Sequence, residues 1–406
     1  MNEGISRRHL EILLLYLAAL GQGICFVVFP AAGNIFTDPE FHHLTSSDYA
    51  SLFLPMIVCA ILASSLGGTL ARRFGLKRVF MCGLASNFIS MVLLALSARF
   101  VEMHGVAYGL LLVSIAGTGV GIGATPTALN AYAVNYFPAK SHAAVAGVYS
   151  LTGIGGTIAP VLLAVSVGLG SWWGLPFAVG VGFLILFLAC LTLPLEIAIP
   201  EEGSTGGEGS GRSQALPLRF WCYAGTILLY GICEAVIADW APIYLHDEKG
   251  LSSQWAAFAL SMFWAALTAG RLLVTAVSLW FSVRWLFATM PALMLACFLG
   301  IPMVEGNMGN IVAFGLAGLV CSAFLPLCIS FAEKEFPEAT ERVSGLMMAS
   351  LLLGIGIGAY GVGLLQDMAG FAFSTIYSGT GAFAGVSFVL AYFLATTMPA
   401  YARARQ

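Results

Sequence analysis

Tyr136-Phe137-Pro138, followed by Ala146-Gly147 and Gly153-Ile154-Gly155, returns half a chain later as Glu335-Phe336-Pro337, Ser344-Gly345 and Gly354-Ile355-Gly356. The offsets are 199, 198 and 201 residues, and Gly68 with Gly270 adds a pair 202 apart. The sequence therefore reads as two copies of one unit. What flanks the repeat tells what the unit is.

Each copy consists of long apolar runs. Twelve are read along the 406 residues: 10–33, 49–71, 78–98, 105–137, 142–166, 172–194, 219–245, 253–278, 283–303, 308–331, 343–365 and 374–397. Most match the roughly 20 residues a helix needs to cross a hydrocarbon core of about 30 Å. Hydrophobic residues make up 59% of the chain, charged residues only 9%, and mean hydropathy is +0.91. So few charges cannot clothe a water-soluble particle, which excludes a soluble enzyme, a nucleic-acid binder and a disordered scaffold. A β-barrel would show alternation in segments of roughly ten residues rather than continuous runs. The expected fold is an all-α polytopic membrane protein of twelve helices in two six-helix repeats. Residues 1–194 form the first bundle and 219–406 the second. Residues 195–218, with Gly203-Ser204-Thr205-Gly206-Gly207 at their centre, form a Gly/Ser-rich linker. Six is an even number, so both copies keep one orientation. That parallel arrangement suits a carrier with its site near the midplane between the halves.

The first run follows Arg7 and Arg8, but it is too long for a signal-peptide core and is read as an uncleaved helix. Basic residues mark the cytoplasmic side of inserted helices. On this topology Arg7, Arg8, Arg72, Arg73, Lys77, Arg78, Lys140, Arg212, Arg219, Arg271, Arg284, Lys334, Arg342, Arg403 and Arg405 share one side, against Arg99 and Lys249 on the other. Both termini are expected in the cytoplasm, in the inner or plasma membrane. The loop at 34–48, with Asp38, Glu40, His42, His43 and Asp48, reads as a solvated polar loop in preference to a weak cation site. The nine cysteines form no C-x-x-C pair and no metal spacing, so no metal is expected. Gly117-x-Gly119-x-Gly121-x-Gly123 and Gly354-x-Gly356-x-Gly358 lie inside apolar runs with no preceding strand and no P-loop lysine. They read as helix contacts, not as a nucleotide loop. Neither a Walker sequence nor any cofactor motif occurs.

Ionisable groups inside a membrane are costly, so each is a candidate site. Two carboxylates qualify on this reading: Glu234, near the middle of the seventh run, and Asp239, nearer its outer end. Tyr230 stands four residues before Glu234, on the same helical face. Asp239 lies about 140° further round, beside Trp240 and Pro242, where it caps or gates the outer mouth. Gln22, Asn87 and Asn130 add amide donors and acceptors suited to hydroxyl groups. Trp264 offers a ring face, and Arg271, seven residues on along the same face, a cytoplasmic gate.

Between the second and third runs stands Gly68-Thr69-Leu70-Ala71-Arg72-Arg73-Phe74-Gly75-Leu76-Lys77-Arg78. It resembles the signature loop of the major facilitator superfamily, G-x-L-a-D-r-x-G-r-k, whose acid latches the two halves. Here Arg72 occupies the acidic position, so that latch is lost while the glycines Gly68 and Gly75 and the basic Arg73 remain; Gly270-Arg271 is a degenerate second copy. A narrower resemblance rests on Leu129-Asn130-Ala131-Tyr132, on residues 153–160, on Tyr230-Gly-x-x-Glu234 through Asp239-Trp240-x-Pro242-x-Tyr244-Leu245, and on Phe263-Trp264 to Gly270-Arg271. These look like the fucose permease-like branch. That branch implies a sugar as substrate and proton coupling through carboxylates in the first and fourth helices; the coupling ion expected here is a proton or sodium. Here those helices hold Gln22 and Asn130 and are read as lacking a buried acid, so coupling falls to Glu234 or the carrier is a uniporter. The leading expectation is a secondary transporter of a small solute, a sugar or similar hydroxylated metabolite, working by alternating access and not an enzyme. It binds membrane lipid but no nucleic acid, and a monomer is the default for the fold. The alternative is a proton-driven exporter of drugs or metabolites. Gly155-x-x-x-Ala159-Pro160 resembles a degenerate antiporter sequence, but Val113 and Ile115 stand where an arginine would be needed.

Overall fold

The computed structural model describes residues 2–195, 216–277, 280 and 282–397. Twelve helices are long and apolar enough to cross a membrane. They are α1 (Asn2–Ala31), α2 (Ser46–Phe74), α3 (Leu76–Ser97), α4 (His104–Tyr136), α5 (Ser141–Gly168), α6 (Gly174–Thr192), α7 (Leu218–Ile243), α8 (Ser253–Val277), α9 (Val283–Gly300), α10 (Asn307–Glu335), α11 (Thr340–Ala369) and α12 (Phe373–Thr396). Several run past the apolar stretch: α1 starts eight residues before the expected 10, because backbone hydrogen bonding does not stop where hydrocarbon does. Of the linker, residues 196–215 lie outside the described residues, as do Arg212, Arg403 and Arg405.

Helix ends follow local chemistry. Both copies of the Phe-Pro motif end a helix, α4 at Tyr136 and α10 at Glu335. The residue before proline is driven out of the helical region, and Pro138 and Pro337 then open short 3-10 turns. Gly75, at φ +91°, separates α2 from α3 in a conformation that disfavours a side chain. Thr45 and Asp48 form a reciprocal capping box at the start of α2.

Equivalent helices pack in equivalent ways. Within the first half α2 and α3 lie along α4, and α5 along α1; within the second, α8 lies along α10 and α11 along α7. A Cβ on Gly155 of α5 would stand 2.1 Å from the Leu20 carbonyl oxygen of α1, and one on Gly354 of α11 would stand 2.1 Å from that of Leu228 of α7. Gly119 of α4 and Gly318 of α10 meet the Met56 and Phe263 carbonyls in the same manner. The structure therefore corrects the repeat register: Gly155, not Gly153, matches Gly354, and the offset holds at 199 from the end of α4 onward. Without a hydrophobic drive between helices in lipid, such backbone-to-backbone seats supply dispersion contact.

The halves meet along two seams, α2 with α11 and α5 with α8. α7 lies at the hub: every residue from Tyr230 to Leu245 is buried. A helix buried all round is one that other helices enclose.

Candidate functional site

Twelve described basic residues share the face where α1 begins and α12 ends, and this is termed the basic face. At the opposite face the halves are tied together where α2 meets α7 and α11, while a cavity of about 430 Å³ lies between Asn34, Pro160, Pro242 and Gln254. Tyr49 Oη donates to the Asp239 carbonyl (2.7 Å), Ser46 Oγ to Gln366 Oε1 (2.6 Å), and the Ser47 N–H to Asp367 Oδ2 (2.6 Å). The Tyr49 ring meets Trp240 edge-on at 5.0 Å. Toward the basic face the same halves part around a cavity of about 490 Å³ between α5, α8, α10 and α11. Tyr149, Ser150, Thr268, Arg271, Ile329 and Met348 are among its lining residues.

Glu234 is buried deep in the hub, 8% exposed. The Tyr230 hydroxyl, one turn before it on α7, donates to the Cys321 carbonyl oxygen of α10 at 3.1 Å. Arg271, on the cavity wall, is the positive charge whose field reaches Glu234, although the two stand beyond ion-pair distance. Asp239, also buried, lies in the sealed layer, where its backbone carbonyl receives Tyr49. The two carboxylates thus belong to different sides of the hub.

The other expected residues are distributed differently. Gln22 and Asn87 are brought together, Asn87 Nδ2 donating to Gln22 Oε1 at 2.6 Å, inside the first half and away from the cavity. Gln22 Nε2 and Asn87 Oδ1 keep no partner. Asn130 Nδ2 donates to the Tyr149 hydroxyl (3.0 Å), and its Oδ1 has no partner. Trp264 packs edge-on against Phe26 of α1 at 5.6 Å, so it closes the seam between halves, with its Nε1 unpartnered. Gly270 lets α8 approach α10: a Cβ there would fall 2.2 Å from Ser322 Oγ. Gly68, Arg72 and Arg73 are exposed near the end of α2, where the two arginines complement the helix dipole.

Two buried carboxylates escaped the sequence reading, Glu11 and Glu335, 5% and 6% exposed. The expectation that α1 lacks a buried acid is therefore wrong. Glu11 accepts Tyr136 Oη (2.9 Å) and the Leu195 N–H (3.1 Å). In the second half Glu335 accepts Tyr223 Oη (3.0 Å) and pairs with Arg219. Tyr136 and Glu335 are the same repeat position, so the repeats keep one tyrosine–carboxylate bond and exchange which helix supplies the acid. The signal was present in the Tyr136/Glu335 mismatch of the repeat itself. Glu11 sits at the basic-face end of its helix, far along α1 from the hub.

The loop after α1 also differs from expectation. His42 is 1% exposed, with Nε2 3.0 Å from Ser97 Oγ and its ring edge-on to Phe36 and Trp172. Burial, with the nearby His104 charge, lowers its pKa from 6.5 to about 4. Among the described residues no cluster of His, Cys, Asp or Glu could hold a metal.

Twelve membrane-length helices in which equivalent helices of the two halves pack alike, with cavities between the halves and a buried carboxylate at the hub, define a polytopic membrane protein of duplicated architecture. The chain belongs to the Major Facilitator Superfamily, whose family pattern matches residues 12–358. It is 23% identical over 383 residues to an uncharacterised MFS-type transporter of Yersinia pestis, with 91% of each chain covered. A nucleoside transporter structure, NupG, superposes with TM-score 0.74 at 14% identity over 96% of this chain and 100% of that one. The Escherichia coli fucose:proton symporter superposes with TM-score 0.58 at 18% identity over 95% and 98%. The protein is thus an integral membrane transporter of this superfamily.

Proposed function

We propose that the protein carries a small hydroxylated solute by alternating access, with a proton on Glu234 as the coupling ion. The observation that carries this reading is the placement of Glu234: a carboxylate in the sealed hub, one helix from a cavity that opens between the halves. The solved neighbours named for a nucleoside and for fucose transport ring-bearing polyols, which favours the same solute class.

On this reading Glu234 and Tyr230, whose hydroxyl donates to Cys321, act together as a two-state switch. A phenol has one proton to give. With Glu234 ionised, Tyr230 serves the carboxylate and the Cys321 carbonyl goes without that donor. With Glu234 protonated, the carboxyl donates to the phenol oxygen and the phenol donates to Cys321. Protonation thereby ties α7 to α10 in one chain of hydrogen bonds, and ionisation releases it. An ionised buried carboxylate costs several kcal/mol unless compensated, so the two protonation states favour different arrangements of α7, α8 and α10. On this reading the basic face is cytoplasmic, the cavity beside Arg271 faces inward, and residues 1–194 and 219–406 are the bodies that rock.

Uptake of labelled hydroxylated solutes into proteoliposomes, with and without an imposed pH gradient, tests the proposal. Glu234→Gln is expected to abolish accumulation against a gradient while leaving counterflow exchange. Gradient-driven accumulation by that variant would refute the role of Glu234, and extrusion of hydrophobic cations alone would refute the solute class.

A further inference from the structure

Among the described residues Arg271 is the one cation on the wall of the cavity, surrounded by Leu272, Leu325, Ile329 and Met348, and it has neither a hydrogen bond nor an ion pair with any of them. The polar atoms around it differ in what they can still do. Ser150 Oγ already donates to the Ala146 carbonyl and Thr268 Oγ1 to that of Trp264, so both remain only as acceptors. Tyr149 receives the Asn130 amide and keeps its own O–H to give, while Asn130 Oδ1, buried beside it, is an acceptor without a donor. The free donors are therefore the guanidinium and one phenol. The free acceptors on the wall are the two hydroxyl oxygens, Asn130 Oδ1 being enclosed by protein behind Tyr149. An uncharged sugar would use the acceptors but leave the guanidinium, exposed in the cavity, without an anionic partner from the solute. A carboxylate meets the guanidinium fork in the planar, two-bond geometry that suits it best, and the tyrosine hydroxyl adds a third donor.

We infer that the solute of this cavity is a hydroxylated monocarboxylate, its carboxylate on Arg271 and Tyr149 and its hydroxyls on Ser150 and Thr268. This deepens the proposed function and rests on its reading of Glu234. It also supplies a coupling rule. The charged and titratable groups that reach Glu234 are Arg271 from α8, Cys321 from α10, and Tyr230 and Asp239 of its own helix. Arg271 is the only cation among them. With Glu234 ionised, the field of Arg271 is shared with that carboxylate. With Glu234 protonated, Arg271 has no internal counterion and takes the anionic solute. Proton and monoanion thus bind together, and the loaded carrier has the same net charge as the empty one.

The test uses the full-length protein in detergent and in proteoliposomes, with gluconate and glycerate against glucose and fucose as neutral controls. Gluconate or glycerate is expected to raise the melting temperature, more in mildly acidic than in mildly alkaline buffer. Arg271→Gln is expected to raise the half-saturating concentration about tenfold or more, the worth of one charge-assisted pair, and Arg271→Lys to recover part of it. Glu234→Gln, fixed in the uncharged form, should bind the acid with no pH dependence. Proton-driven uptake of the acid should be indifferent to an imposed membrane potential. Equal shifts with the neutral sugars, an unaltered Arg271→Gln, or no shift with either acid would overturn the anion inference and leave the role of Glu234 standing. Gradient-driven accumulation by Glu234→Gln would remove the coupling itself.

Discussion

The seal at the face opposite the basic one should set the balance between the two access states, and its strength can be worked from the structure. Tyr49→Phe removes the 2.7 Å bond to the Asp239 carbonyl but keeps the ring that meets Trp240 and Phe53. Asp367→Ala removes the acceptor of the Ser47 N–H at 2.6 Å. A neutral hydrogen bond contributes about 1 kcal/mol net, and the exposed Asp367 contact is discounted from the charged range to a similar value because solvent screens it. Both bonds exist only when this face is closed, so their joint loss of about 2 kcal/mol shifts the equilibrium toward opening of that face by roughly 30-fold. Spin labels at Leu169 and Met303, exposed on opposite halves of the same face, report the separation by double electron–electron resonance in a background without reactive cysteines. A new, longer distance population is expected in the double variant. An unchanged distribution would show that these bonds do not hold the halves, and that the contacts of α5 with α8 carry the closure.

Three further outcomes are expected. Gly155→Val or Gly354→Val places a side chain 2.1 Å from a backbone oxygen and should abolish monodisperse protein in size-exclusion chromatography, whereas Gly147→Ala, with 3.6 Å to Tyr16, should be accepted. Glu335→Ala leaves Tyr223 and Arg219 without their acceptor. A fall of about 1–3 kcal/mol in stability is expected, read as a lower melting temperature that Glu335→Gln partly restores because it still accepts from Tyr223. His42 is held neutral in the folded protein, so the unfolded loop takes up a proton first as pH falls. Stability of that loop is complete above pH 6.5 and is lost progressively as pH drops toward about 4. Hydrogen exchange of residues 38–45 should accelerate over that window, and His42→Phe should flatten the dependence.

The Phe-Pro repeat carried the duplication, because it marks the same helix end in both halves; the Gly68/Gly270 pair does not hold, since Gly270 seats against Ser322 while Gly68 has no neighbour within 4 Å. Glu234 stood out for a related reason: a carboxylate in the middle of an apolar run has few explanations. The same rule failed for Glu11 and Glu335. They lie at helix ends, where a sequence reading assumes water, and only the packing of Tyr136 and Tyr223 encloses them. Gln22 and Asn87, 65 residues apart, could not be seen as one pair until α1 and α3 were set side by side. His42 looked solvated in a loop full of acids because nothing in its neighbourhood along the chain foretells Trp172.

By itself, then, the sequence determined the solvent, the number of crossings, the duplication and the side that bears the basic charge. Each follows from properties that act along the chain: apolar length against a fixed hydrocarbon thickness, and the cost of charge in lipid. Only the tertiary structure decided where the halves are bonded to each other, which side chains flank Glu234, and that Arg271 faces a cavity with no ion-pair partner among the described residues. Those depend on which helices become neighbours, and in lipid that choice is made by the fit of small residues against backbone.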